Sequence, residues 1–244
     1  NQGYNYRNSP GNMINETEYL NADNTTKNFV IEPRTNERYG KGYNGNFGIE
    51  LYLDKSTSWT NTINYRKNNG DNTDNVFQNY YDADYVYDYT RNRINEEDSD
   101  SENVEFTTNL TKNFKKDGHK LTIDGSFSTS DEINNALVTD TANNSDSKKL
   151  DKTVNNQSQN RNLIQMDYVL PLGKGSQFEA GYRGDFNKLL TDYQVANDGV
   201  INYNFTNTLE YKENVNALYT QYGLKVNKIS VLLGLRWEDS NIEV

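Results

Sequence analysis

The 244-residue chain has no cysteine, so it can hold neither a disulfide framework nor a thiolate metal site. Its one histidine, His119, argues against a histidine-based metal centre. No apolar run approaches the roughly 20 residues of a membrane helix. That excludes a helical span only, because a transmembrane barrel turns half of every strand to a polar lumen and hydropathy averages miss it. No secretory leader is recognisable, and Asn1–Arg7 and Ile229–Val244 read as interior stretches of a longer pattern. Net charge is -10, so a nucleic-acid backbone is not an expected partner. The lone histidine follows a tight turn, and no nucleophile pairing is implied. Carboxylates are plentiful but spread along the chain instead of gathering at one cleft. No catalysis, cofactor or metal site is expected.

What the chain does have is polarity without disorder. Mean hydropathy is -1.01 and hydrophobic residues are 33 %, low for a domain with a large core. Yet aromatics reach 12 %, with 19 tyrosines, more than a disordered chain carries. Regular alternation among them points to long strands and long wet connections.

The clearest stretch is Asn162–Lys188. Ile164, Met166, Tyr168 and Leu170 fall on one face of a strand, with Gln165 and Asp167 on the other. Pro171–Gly175 turns the chain. Phe178, Ala180, Tyr182 and Phe186 then alternate with Gln177, Glu179, Arg183 and Asp185. Both arms match the 9–11 residues, roughly, that a membrane strand needs.

The same period predicts eight strands: Tyr43–Leu53, Ser58–Lys67, Val104–Phe114, Lys120–Thr129, Asn162–Leu170, Gln177–Lys188, Tyr211–Val226 and Lys228–Glu238. Residues 1–42 read as a weakly structured loop with one candidate strand at Phe29–Ile31. Residues 43–244 carry the strands, with long loops at 68–103, 130–160 and 196–204. The first of these loops has its tip near Asn95–Asn103. Apolar parity changes between Val215, Ala217, Tyr219 and Leu218, Tyr222, Leu224, which predicts a β-bulge. Short turns at Asp54, Lys115, Pro171 and Asn227 alternate with long polar connections. Up-and-down antiparallel strands of outer-membrane barrels show that asymmetry. A soluble sandwich or sheet, or a small closed barrel, also gives alternation. Roughly 30-residue connections at one end only are rare in soluble folds.

Asp124, Asp167, Glu179, Arg183, Asp185, Arg236 and Glu238 share the inward parity of their strands. They read as polar residues facing a lumen, or as ion-paired wall residues whose role is structural. Tyr80, Tyr81, Tyr85, Tyr87 and Tyr89 read as ligand-contact aromatics or as a strand rim. The acidic runs Glu96–Asp98 and Asp71–Asp74 lack the spaced pattern of a calcium loop and read as solvated charge.

Four stretches, Tyr43–Arg66, Asn103–Ser128, Arg161–Asp185 and Phe205–Glu238, together resemble the barrel region of TonB-dependent outer-membrane receptors, the large Bacteroidetes-type outer membrane beta-barrel family. The most specific parts are YVLPLGKGSQFEAGYRG and the closing YKENVNALYTQY with LLGLRWE. The resemblance implies an all-β, antiparallel, up-and-down transmembrane β-barrel, present here as the middle part of a barrel of about 22 strands. It also implies import of a scarce ligand, such as a siderophore, glycan or peptide, in the cell outer membrane. The implied partners are outer-membrane lipid, an N-terminal plug, the remaining barrel strands, an energy-coupling TonB-type protein and a surface lipoprotein. The plug, the energy-coupling segment and the closing C-terminal strand of that pattern are not recognisable in this sequence. The other reading is a soluble or small-barrel β domain that binds a surface ligand or a partner protein.

Overall fold

The computed structural model describes every residue of the chain except Lys174 and Asn227. Eleven strands form one antiparallel sheet. They are β1 (Gln2–Asn8), β2 (Gly11–Leu20), β3 (Thr26–Asp54), β4 (Thr57–Tyr81), β5 (Tyr87–Asn113), β6 (Lys120–Ala142), β7 (Ser145–Gly173), β8 (Ser176–Asn197), β9 (Val200–Ile201), β10 (Asn207–Val226) and β11 (Ile229–Glu243). The order is β1-β3-β4-β5-β6-β7-β8-β10-β11, with β2 beside β3 and β9 beside β8.

The expected barrel does not form. Among the described residues β11 pairs only with β10, and β1 and β2 pair only with β3, so the sheet is open. β1 and β2 are two halves of one edge: β1 covers Tyr39–Gly45 and β2 covers Thr26–Asn36. Pro10, which has no N–H to donate, sits at the break. The Ser9 amide still reaches the Arg38 carbonyl at 2.9 Å. Residues 1–42, expected to be largely loop, are thus mostly strand.

Strands also replace two of the expected long loops, 68–103 and 130–160, while 196–204 keeps its turns around the two-residue β9. β3 and β7 each run 29 residues, roughly 95 Å at ~3.3 Å per residue. The β4–β5 hairpin turns at Asp82–Val86 and not at Asn95–Asn103. There the Asp82 carboxylate accepts from the Asp84 and Val86 amides at 3.0 and 2.9 Å. The β8–β9 turn places Asp198 and Gly199 at φ 49° and 81°, the left-handed pair that an Asp-Gly hairpin favours. The predicted β-bulge is absent. β10 keeps one register with both neighbours from end to end, so Val215, Ala217 and Tyr219 lie on the polar face.

Register aligns the apolar positions. Leu51, Trp59, Leu110, Ile123, Met166, Tyr182, Leu218 and Trp237 form one row across eight strands. None of the eight is buried. Val30 and Ala217 are the only buried hydrophobics among the described residues. Accessible surface is 16482 Å², against roughly 11,000 Å² for a compact protein of this mass. The protein is a single layer with two uncovered faces.

Candidate functional site

The seven charged residues read as inward-facing all lie on the face opposite the apolar row, as their pairing registers require. With the sheet open, that face bounds no closed lumen. Arg161 forks onto Asp185 with bonds of 3.1 and 2.8 Å. Arg183 lies 3.6 Å from the same carboxylate and 3.4 Å from the Gln165 amide oxygen. Gln165 in turn donates to Asp167 at 2.8 Å, and Tyr219 donates its hydroxyl to the other Asp167 oxygen. Arg161, Asp185, Arg183, Gln165, Asp167 and Tyr219 are therefore one chain of contacts across β7, β8 and β10.

The remaining members stand apart. Glu179 accepts from Gln177 and Gln221. Asp124 accepts from the Asn109 amide at 2.6 Å and not from a lysine or arginine. Arg236 and Glu238 pair with each other on β11 at 2.6 Å. Each carboxylate named here has a donor, as a charge on a half-buried sheet face must.

The tyrosines divide between the two faces. Tyr80 and Tyr89 stack on the polar face with ring centroids 4.4 Å apart. A register shift beside Tyr81 then puts Tyr81 and Tyr87 on the other face, edge to face at 5.9 Å. Tyr85, at φ 64° in the hairpin, stacks on Tyr81 at 5.2 Å and donates to Glu16 at 2.5 Å. The five rings are not one platform.

Higher on the polar face two ion pairs repeat one pattern. Arg34 holds the buried Asp74, and Arg91 holds Asp140. Hydrogen bonds from Arg91 keep the Asp140 carboxyl below the usual carboxylate range, against the opposing effect of burial. The acidic runs do not assemble: no group of three metal-ligating side chains exists among the described residues. His119 stacks on Phe114 at 4.1 Å and contacts the Tyr168 hydroxyl at 2.9 Å.

A recess lies between these features, and the sequence pattern shows no sign of it. Gly40, Gly70, Ser99, Asn134 and Asn155 form one row across β3 to β7, with Arg7 of β1 at its end. Small side chains along the row leave a hollow of about 660 Å³, also lined by Arg38 and Glu97. Gly40 and Gly70 are 30 positions apart, so only the register reveals the row.

A one-layer sheet with an apolar belt on one side and hydrogen-bonded charges on the other is the two-faced pattern of strands in β-structured proteins of the outer membrane. Residues 112–244, more than half of the chain, match the outer membrane protein beta-barrel family, and the chain belongs to it. No curated protein matches the chain.

Proposed function

We propose that the chain is a binding domain of an outer-membrane protein, a non-catalytic β-sheet that holds a surface ligand or a partner protein on its polar face. The observation that carries this reading is the uncovered apolar row from Leu51 to Trp237. Full burial of a large apolar side chain is worth about 1.5–3 kcal/mol. The eight are only partly exposed, Leu51 at 38 % and Trp237 at 60 %, so what remains uncovered amounts to roughly 6–12 kcal/mol, comparable to the whole stability of a typical domain. A sheet that leaves this much unburied acts together with whatever covers it, be it lipid or protein.

The finer reading is import of a scarce ligand in the manner of a TonB-dependent receptor, in the outer membrane. One feature supports it. The Ile229–Trp237 face keeps an apolar residue at every second position over 9 residues, close to the ~9–11 of a membrane strand. Its opposite face is mixed, with Ser230, Leu232 and Gly234 before Arg236, which is hydrogen-bonded to Glu238. The plug, the coupling protein and a surface lipoprotein are partners on this finer reading only.

Trp59 and Trp237 sit in one row on one face, which makes the cover measurable. With the full chain reconstituted in vesicles of brominated phosphatidylcholine, both tryptophans should be quenched together. A chain that stays monomeric in water without detergent, with unquenched tryptophans and sheet-type circular dichroism, overturns the outer-membrane placement.

A further inference from the structure

We propose that the hollow over Gly40 and Gly70 is a binding site for a short, extended peptide with a free C-terminal carboxylate. This rests on the reading of the polar face as ligand-bearing and names the ligand's chemistry. Three observations on the same row support it.

The first is open space at Gly40; at Gly70 the Ser99 hydroxyl already lies 2.9 Å from where a Cβ would stand. A Cβ on Gly40 would find its nearest atoms at 3.9 and 4.0 Å, the Asn69 carbonyl oxygen and the Arg7 Cβ, so the backbone there is open to an occupant. Gly40 is in the extended ladder and needs no left-handed backbone, so folding alone does not call for glycine here.

The second is charge. Arg7 and Arg38 flank that floor, and among the described residues neither guanidinium has a carboxylate within 4.0 Å. Elsewhere on this face Arg34, Arg91, Arg161, Arg183 and Arg236 each hold one, while Arg66 and Arg93, like Arg7 and Arg38, have none within 4.0 Å among the described residues. Two free guanidiniums at one end of a groove suit a carboxylate, which each can grip with paired donors.

The third is the far end. The Asn155 side-chain oxygen is buried and accepts no hydrogen bond. From β3 to β7 is four strand spacings, ~19 Å, the length of five or six extended residues. A peptide laid across the strands would bring N–H donors to Asn155 and its terminal carboxylate to Arg7 and Arg38. A glycan suits the groove less well, because no aromatic ring on the polar face lines it; Tyr39 points to the other side.

The test uses the full chain in detergent micelles and isothermal titration with N-acetyl-pentaalanine, as the free acid and as the C-terminal amide. Acetylation removes the ammonium group that a chain of charge -10 would attract unspecifically. The acid should bind roughly tenfold more tightly than the amide. Arg7→Gln with Arg38→Gln should erase that difference. Gly40→Val should abolish binding of both peptides while sheet circular dichroism is unchanged. Equal binding of acid and amide by the unaltered chain, no binding of either, or wild-type affinity in Gly40→Val overturns the site. Quenched tryptophans together with indifference to both peptides would leave the binding-sheet reading standing and remove only this one.

Discussion

The Tyr219 hydroxyl donates to the Asp167 carboxylate from two strands away, passing over the bare backbone of Gly181. The three residues share one row, Asp167 opposite Gly181 and Gly181 opposite Tyr219. A Cβ on Gly181 would fall inside the Tyr219 ring. Glycine here provides room for a neighbour's ring.

Gly181→Ala should therefore cost more than Tyr219→Phe. The phenylalanine removes one hydrogen bond to a charged group, about 1.5–3 kcal/mol, and leaves Asp167 its bond from Gln165. The alanine also expels the ring and leaves it unpacked, adding about 1 kcal/mol or more. Urea titration of the folded chain reads the order. Equal losses, or none from Gly181→Ala, would place the Tyr219 ring elsewhere.

Acid should weaken the upper sheet through Asp140. Its folded carboxyl titrates below the usual range, with the Arg91 hydrogen bonds as the main cause. Between the folded value and the unfolded one near ~3.9 the unfolded chain binds more protons. The pair's contribution is thus complete above roughly pH 4 and is lost as pH falls through the folded value. Arg91 stays charged throughout this window. Its side chain is 39 % exposed, so solvent screening holds the contribution to about 1 kcal/mol. Arg91→Ala should lower the urea midpoint at pH 6, and its effect should shrink as pH falls below roughly 4. An undiminished loss in acid would mean that the pair's charge is not what stabilises it.

The belt was legible from sequence because apolar and polar residues alternate there. Ile164, Met166, Tyr168 and Leu170 declare their face without help from the fold. Above the belt both faces are polar, and no period survives. β4 and β5 continue there as a ladder of amide and carboxylate pairs, Asn72 donating to Glu97 at 3.1 Å and Asn69 to Asp100. Asparagine and aspartate are poor strand formers alone, so local propensity pointed to loops and cross-strand pairing overrode it. The parity change in β10 misled for a different reason. Ala217 is fully buried between its neighbours and Tyr219 ends in a hydroxyl, so both suit the polar face. The barrel expectation came from the alternation of short turns with long polar connections as well as from resemblance. Neither closes a sheet: among the described residues the edge strands β1, β2 and β11 do not pair with one another.

The two faces can be told apart by one pair of variants. Ile123 belongs to the apolar row, and its neighbour Thr122 faces the other way, in the row of Asp167. Ile123→Lys should reduce insertion into vesicles by about 2–4 kcal/mol if it lies near the bilayer mid-plane. Thr122→Lys should change it by less than about 1 kcal/mol, with water and carboxylates at hand. The fraction of folded, protease-protected chain measures both. Similar losses would show that the row does not meet lipid.

Tyr85 joins the distal hairpin to the sheet's edge at the expense of its own backbone. Its φ of 64° is left-handed, which costs a side-chain-bearing residue about 1–2 kcal/mol. Against that stand the stack on Tyr81, a tilted contact with Phe29 at 4.7 Å, and the hydrogen bond to Glu16 of β2. Tyr85→Ala keeps the backbone cost and loses all three contacts. Tyr85→Gly loses the same contacts but removes the cost. The glycine variant should therefore be the more stable of the two by about 1 kcal/mol, with the native tyrosine above both. Hydrogen exchange should rise at the β2 amides Glu16–Tyr19 in both variants, more in the alanine, and stay unchanged in β10, on the far side of the sheet. If alanine proves as stable as glycine, Tyr85 is not held in the left-handed region, and the hairpin owes its docking to something other than this ring.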